Sequence, residues 1–145
     1  MRRQKNPGKK AIIAAPIPYE HDIQAAFVRI CRLHENIYPA LRLMFAVPNG
    51  QKRDIRIARI LQAEGARPGV PDIILPAARH GHHGFAIEFK RPGEKPTKTQ
   101  IDYHALMIFE GWKVEVHTDA DRAWQAMRSY LSDSRSGMIP AILID

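Results

Sequence analysis

The sequence predicts an α/β domain, a four-stranded mixed β-sheet flanked by α-helices. Three observations carry that prediction. Helical and extended patterns follow one another in the order α–β–α–β–β–α–β–α, the order of a sheet covered by helices. With 145 residues the chain fits one domain large enough to bury a core without staples. A composition 45% hydrophobic and 26% charged is that of an ordinary globular chain.

Taken in order, residues 1–18 form a basic arm, with five Lys or Arg among the first ten residues. Such an arm either stands solvated or tracks phosphates or crosses to a partner subunit. Residues 19–132 form the domain. From Glu20 to about His34 the pattern is helical, with Ile23, Phe27, Ile30 and His34 on one stripe and Ala26 and Leu33 beside it. "RLMFAV" (42–47) is expected as a strand closed by the turn "PNG". "QKRDIRIARILQAEG" is expected as a helix ended by Gly65, with Ile57, Ile60 and Leu61 inward. The strands "DIILP" and "FAIEFK" follow, joined by "AARHGHHG". A helix from about Thr97, its N-cap, to Glu110 stops at Gly111. "WKVEVHT" alternates with period two as a last strand, and Asp119 caps a last helix. Residues 133–145 are a polar linker and an apolar end, "MIPAILID", expected to pack on a partner subunit.

Composition excludes several classes. No apolar run of about 18 residues is present, so no membrane span is expected. The apolar stretch near the N-terminus is too short and proline-broken for a signal peptide. The single Cys31 allows no internal disulfide and argues against a cysteine zinc site. A cytoplasmic location is the default. Twenty-two Lys and Arg against fifteen Asp and Glu give a net charge of +7 and a pI near 9.9, a balance suited to a polyanionic partner.

The chemistry gathers around "PGVPDIIL" and "IEFK". Charged side chains are almost never buried unless they are paired or bind something. In "FAIEFK" alternation sends Phe85, Ile87 and Phe89 one way and Ala86, Glu88 and Lys90 the other. Asp72 opens the preceding strand after the rigid approach "RPGVPD", and pairing of the two strands brings it to the same patch. Two converging carboxylates make a hard oxygen site suited to Mg²⁺ or Mn²⁺. A lysine beside them can hold an attacking water or stabilise a charged phosphate. Gln100, ten residues after Lys90, lies near the start of the next helix, and Glu20 starts the first helix with Gln24 one turn on. The bland alternative makes Glu88 and Lys90 the polar face of an edge strand and Asp72 the end of a turn.

Taken in order, "E-x3-Q" at 20–24, "PNG" at 48–50, "EGARPGVPD" at 64–72, "IEFK" at 87–90, Gln100 and "GWKVEV" at 111–116 resemble the VRR-NUC family of the PD-(D/E)xK nuclease superfamily. The resemblance runs from about Glu20 to Leu131. It implies a restriction-endonuclease-like core and a divalent-metal-dependent endodeoxyribonuclease that processes branched DNA, Holliday-junction-like four-way junctions first. It also implies self-association as a homodimer or higher homo-oligomer, products with a 5′-phosphate, a phage or bacterial setting, and no organic cofactor. Carried over, Asp72 and Glu88 are the metal-binding carboxylates and Lys90 the catalytic lysine. Glu20 is the acidic residue of the first helix, Gln100 the glutamine after the lysine, and the Phe89 backbone carbonyl a further metal ligand. "PNGQKR" departs from the pattern by lacking a second glycine, and the "PAARHGHHG" connection by its histidines. The alternatives are a flap, nicking or non-specific nuclease of the same fold, and a structure-specific DNA-binding module without cleavage.

For DNA contact the candidates are Lys52, Arg53, Arg56 and Arg59, and Lys95 and Lys98 near Gln100. Each of these groups either tracks phosphates or forms a solvated face. His80, His82 and His83 crowd a tight connection, where a solvated turn, a backbone contact and a metal site are the options. Trp112 and Trp124 are expected as core anchors rather than base-stacking platforms.

Overall fold

The computed structural model describes residues 16–48 and 55–132. The arm up to residue 15, the Asn49–Gly50 part of the turn, Lys52, Arg53 and the tail from residue 133 lie outside the described residues. Along the chain run α1 (Glu20–Leu33), a 3₁₀ turn (Pro39–Leu43), β1 (Phe45–Ala46), α2 (Ile55–Ala63) and β2 (Ile73–Leu75). Then come β3 (Phe85–Phe89), α3 (Lys98–Phe109), β4 (Lys113–His117) and α4 (Ala120–Leu131). The strands stand in the order β1-β2-β3-β4. The β1–β2 and β2–β3 pairs are antiparallel and β3–β4 is parallel. The sheet is mixed, as the sequence predicts, and α3 supplies the crossover that a parallel pair needs.

Alternation along the strands divides the molecule into layers. Ile73, Leu75, Phe85, Ile87 and Phe89 face one side, where they pack with Ile23, Phe27 and Cys31 of α1 and with Ala123, Met127, Tyr130 and Leu131 of α4. The Phe27 and Phe89 rings lie 5.4 Å apart, and the Tyr130 hydroxyl, buried with them, donates to the Ala77 carbonyl at 2.7 Å. Ala86 and Glu88 face the other side, under α3, whose one buried residue is His104. Thr97 caps α3 by accepting from the Gln100 amide, and Asp119 caps α4 by accepting from the Arg122 amide. Gly111 takes a positive φ of 81° just past α3, as expected of a stop.

Three local expectations are corrected. The strand expected over 42–47 shrinks to Phe45–Ala46, because Pro39 starts a 3₁₀ turn that buries Leu41 instead. In α1 the buried stripe runs Ile23, Phe27, Cys31, and Leu33 is exposed. In α2 Ile57 and Ile60 are exposed rather than inward. That helix carries apolar residues on several sides, so its periodicity does not choose a buried face; Ala58 and Leu61 are the partly covered ones.

Candidate active site

Strand register brings the two carboxylates together. Ile73 pairs with Ile87, and one step outward Asp72 comes opposite Glu88 on the α3 side of the sheet. Asp72 is seated through both backbone and side chain. Its carbonyl accepts from the Val47 N–H at 2.8 Å, and its Oδ2 accepts from the Phe89 N–H at 2.8 Å. The approach loop passes tight under α3. Gly69 holds a φ of +87°, and a Cβ there would stand 2.5 Å from the Thr99 carbonyl oxygen, so only glycine fits.

Lys90 closes the patch. Its Nζ donates to Glu20 Oε1 at 2.7 Å and to Glu88 Oε1 at 2.8 Å, tying the start of α1 to β3. Glu20 sits in the first turn of α1, where the helix dipole favours a carboxylate. Gln100 bridges from the far side: its Oε1 accepts from the Thr97 N–H at 2.9 Å, which turns its Nε2 onto Glu88 Oε1. The cap of α3 and the grip on Glu88 are therefore one side chain.

Burial dominates the electrostatics. Glu88 is 1% exposed, and its carboxyl is pushed up to about 7, by burial first, with the Lys90 hydrogen bond opposing and the Asp72 charge adding to the rise. Burial alone would lower Lys90, but its hydrogen bonds to Glu20 and Glu88, followed by their charges, outweigh it and hold the ammonium above its ordinary range. His104 is lowered, by burial and then by the Lys90 charge, with Asp72 opposing. The lysine is thus the fixed charge of the site, and Glu88 is the group whose charge depends on its surroundings.

Glu20, Asp72, Glu88, Lys90 and Gln100 all line one cleft of about 1200 Å³. Of the candidate phosphate-tracking residues, those among the described ones, Arg56, Arg59, Lys95 and Lys98, do not line it. From α2 the lining comes from Ala58, Leu61 and Gln62, with Arg56 and Arg59 outside it. Lys95 and Lys98 also stay outside the lining, and Lys98 is paired with Asp102 at 2.7 Å on the open surface. The arginines of the wall are Arg67 and Arg91, two that sequence reasoning missed. Arg91 directly follows Lys90, which was the available signal; its guanidinium lies 4.8 Å from the Tyr19 ring centre. From its helical stretch alone His104 reads as a packing or surface residue; the structure buries it one turn after Gln100 and beside Glu88.

Among the described residues no group of three or more His, Cys, Asp or Glu gathers where it could hold a metal ion. A Mg²⁺-type site asks for less, one or two carboxylates with water completing the shell. Glu88 Oε2 fits that demand: it is buried without a hydrogen-bond partner, and Asp72 stands across the strand. The histidines of the connection diverge. His80, at φ +50°, contacts the Tyr130 carbonyl at 3.1 Å. His82 pairs with Arg79, and the His83 ring lies against Gly111. Trp124 packs on the core beside His34, ring centres 4.4 Å apart, and Trp112 covers Gly84.

A four-stranded mixed sheet with helices on both faces, and carboxylates meeting where β2 begins and β3 ends, is the restriction-endonuclease-like α/β fold. A solved structure named as a VRR_NUC domain protein shares it with a TM-score of 0.67, covering 86% of this chain and 100% of its own, at 20% sequence identity. The likeness is one of fold. No family model matches the chain, and no curated protein matches it. Among the described residues no helix is long and apolar enough to cross a membrane.

Proposed function

We propose that the chain is a VRR-NUC nuclease, a divalent-metal-dependent endodeoxyribonuclease that hydrolyses phosphodiester bonds in branched DNA, with four-way junctions as its foremost substrate. One observation supports this above the others: five residues spread from Glu20 to Gln100 converge in a single cleft, two of them carboxylates facing each other across a strand pair. Mg²⁺ or Mn²⁺, when bound, lowers the pKa of a coordinated water and takes up charge developing on the phosphate. Asp72 and Glu88 would hold it, with the Phe89 carbonyl adding a third oxygen. Lys90 gives two of its three N–H donors to Glu20 and Glu88, and the third serves the phosphate or the attacking water. Arg67 and Arg91 on the cleft wall supply phosphate contacts, and a chain of net charge +7 binds DNA with a steep salt dependence.

Self-association belongs to the same proposal. The outer side of α3 leaves Ile101, Leu106, Ile108 and Phe109 more than half exposed, an apolar patch suited to a second copy. A two-fold dimer matches the two scissile phosphates of a symmetric junction.

The test is cleavage of four-way junction, flap, duplex and single-stranded DNA with Mg²⁺, Mn²⁺ or EDTA, wild type beside Lys90→Ala. Paired symmetric cuts in the junction, lost in EDTA and in the variant, are expected. Equal cutting of every form would keep the chemistry and remove the junction preference. Tight junction binding with no cleavage in either metal would make the chain a binding module. A monomer in sizing experiments would remove the dimer.

A further inference from the structure

The buried Nε2 of His104 and the buried Oε2 of Glu88 face each other at 3.6 Å, and neither has a hydrogen-bond partner. His104 is 7% exposed and Glu88 1%. Two orphaned polar atoms in one buried pocket carry a desolvation penalty each, and here they are aimed at one another. The separation is about 0.6 Å beyond an ordinary N–H···O contact, a gap that a small side-chain shift closes, as hydrogen bonds around reactive groups often tighten only on loading. Placement on α3 adds a second argument. Gln100 and His104 are four residues apart and share one face of the helix. Gln100 takes Glu88 Oε1, and His104 is the residue one turn on that meets Oε2.

We propose that His104 is a positioning residue: its imidazole N–H holds Glu88 Oε2 while Gln100 holds Oε1, so that α3 fixes the plane of the carboxylate opposite Asp72 for a divalent cation. This rests on the metal-dependent reading above. Held at both oxygens, Glu88 cannot rotate about its last bond without breaking a contact to α3. The remaining lone pair of Oε2 then keeps one direction. Partners of this outer kind set metal affinity by orienting the ligand.

Calorimetric titration of Mn²⁺ into the DNA-free protein tests it, with thermal unfolding in EDTA run in parallel. His104→Leu keeps an apolar fit to the pocket and removes the donor; His104→Gln puts an amide N–H back near the Nε2 position. The expected result is a loss of Mn²⁺ affinity of about 10- to 100-fold in His104→Leu, recovery to within about threefold in His104→Gln, and an unchanged unfolding midpoint in EDTA. Wild-type affinity in His104→Leu would overturn the inference, and so would a His104→Gln as weak as His104→Leu. A weakened affinity that follows a lowered midpoint in EDTA would overturn it too, as packing alone. Failure of the wild-type protein to bind Mn²⁺ is a different outcome, which removes the metal-dependent reading itself and this inference with it.

Discussion

The side-chain amide of Gln100 donates to Oε1 of Glu88 across the gap between α3 and β3, while its own oxygen accepts from the Thr97 N–H. A capping box and a grip on the site's most buried carboxylate are thereby joined in one residue.

Substitution can separate the two roles. Gln100→Glu keeps an acceptor for the cap but sets a second carboxylate against Oε1 of Glu88, so the unfolding midpoint falls more at pH 8 than at pH 5, where Glu88 is protonated, and metal-dependent cleavage falls by about 100-fold. Gln100→Ala loses both, and costs about 1 kcal/mol of stability besides. Urea unfolding beside a cleavage assay reads both. A Gln100→Glu midpoint lowered equally at both pH values would contradict the contact with Glu88.

Lys90 is nine-tenths buried between two carboxylates. Replacing it by methionine leaves Glu88 in the interior without its cation, a loss of about 3 kcal/mol at pH 8. At pH 5 the loss shrinks, because Glu88 is protonated there. Cleavage falls about 100- to 1000-fold. Unfolding curves of Lys90→Met at the two pH values are the check, and a loss independent of pH would contradict the assigned partnership.

The carboxyl of Glu88 sets a pH dependence of its own. Its folded pKa of about 7 lies above the ordinary carboxyl value of 4.5, so the folded protein binds the proton more tightly than the unfolded chain. The associated stability is fully present below about pH 4.5 and is lost as pH rises through 7, in total about 3 kcal/mol. In EDTA, Glu88→Gln should flatten that decline. Mg²⁺ or Mn²⁺ should restore stability at pH 8 and do little at pH 5. A wild-type curve in EDTA that rises over this window would contradict the shift.

Gly69 and Gly65 both have positive φ, +87° and +101°, but a Cβ meets the Thr99 carbonyl at the first and nothing within 4 Å at the second. Gly65→Ala therefore costs about 1 kcal/mol, the left-handed penalty alone. Gly69→Ala costs roughly 2–3 kcal/mol and displaces the approach to Asp72, so cleavage falls with it. Paired unfolding measurements on the two variants distinguish them.

Much of the site geometry was legible in the sequence, because a strand's period of two is imposed by the backbone. Alternation in "FAIEFK" put Glu88 and Lys90 on one face and Phe85, Ile87 and Phe89 on the other. Caps were legible for the same local reason: Thr97 and Asp119 bond to amides three residues away. The facing of α2 was not. Ile55, Ile57 and Ile60 spread around that helix, and only what lies against it decides which are covered. Arg67 escaped notice because a cleft wall is assembled from distant segments, and Arg91 because it lies past the end of β3, where strand alternation no longer assigns a face. His104 reads as a packing or surface residue from its helix alone, although its place four residues after Gln100, on the same face, was the signal for a role beside Glu88.

Phe89 gives its amide hydrogen to the side chain of Asp72 rather than to a neighbouring strand. That one proton belongs to the backbone of β3 and to the floor of the cleft together. Its exchange with deuterated solvent is slow while Asp72 is seated and fast once the aspartate is displaced or removed. In ¹⁵N-enriched protein that one amide resonance is therefore a gauge of the cleft, able to follow any displacement of Asp72 with no reporter group attached.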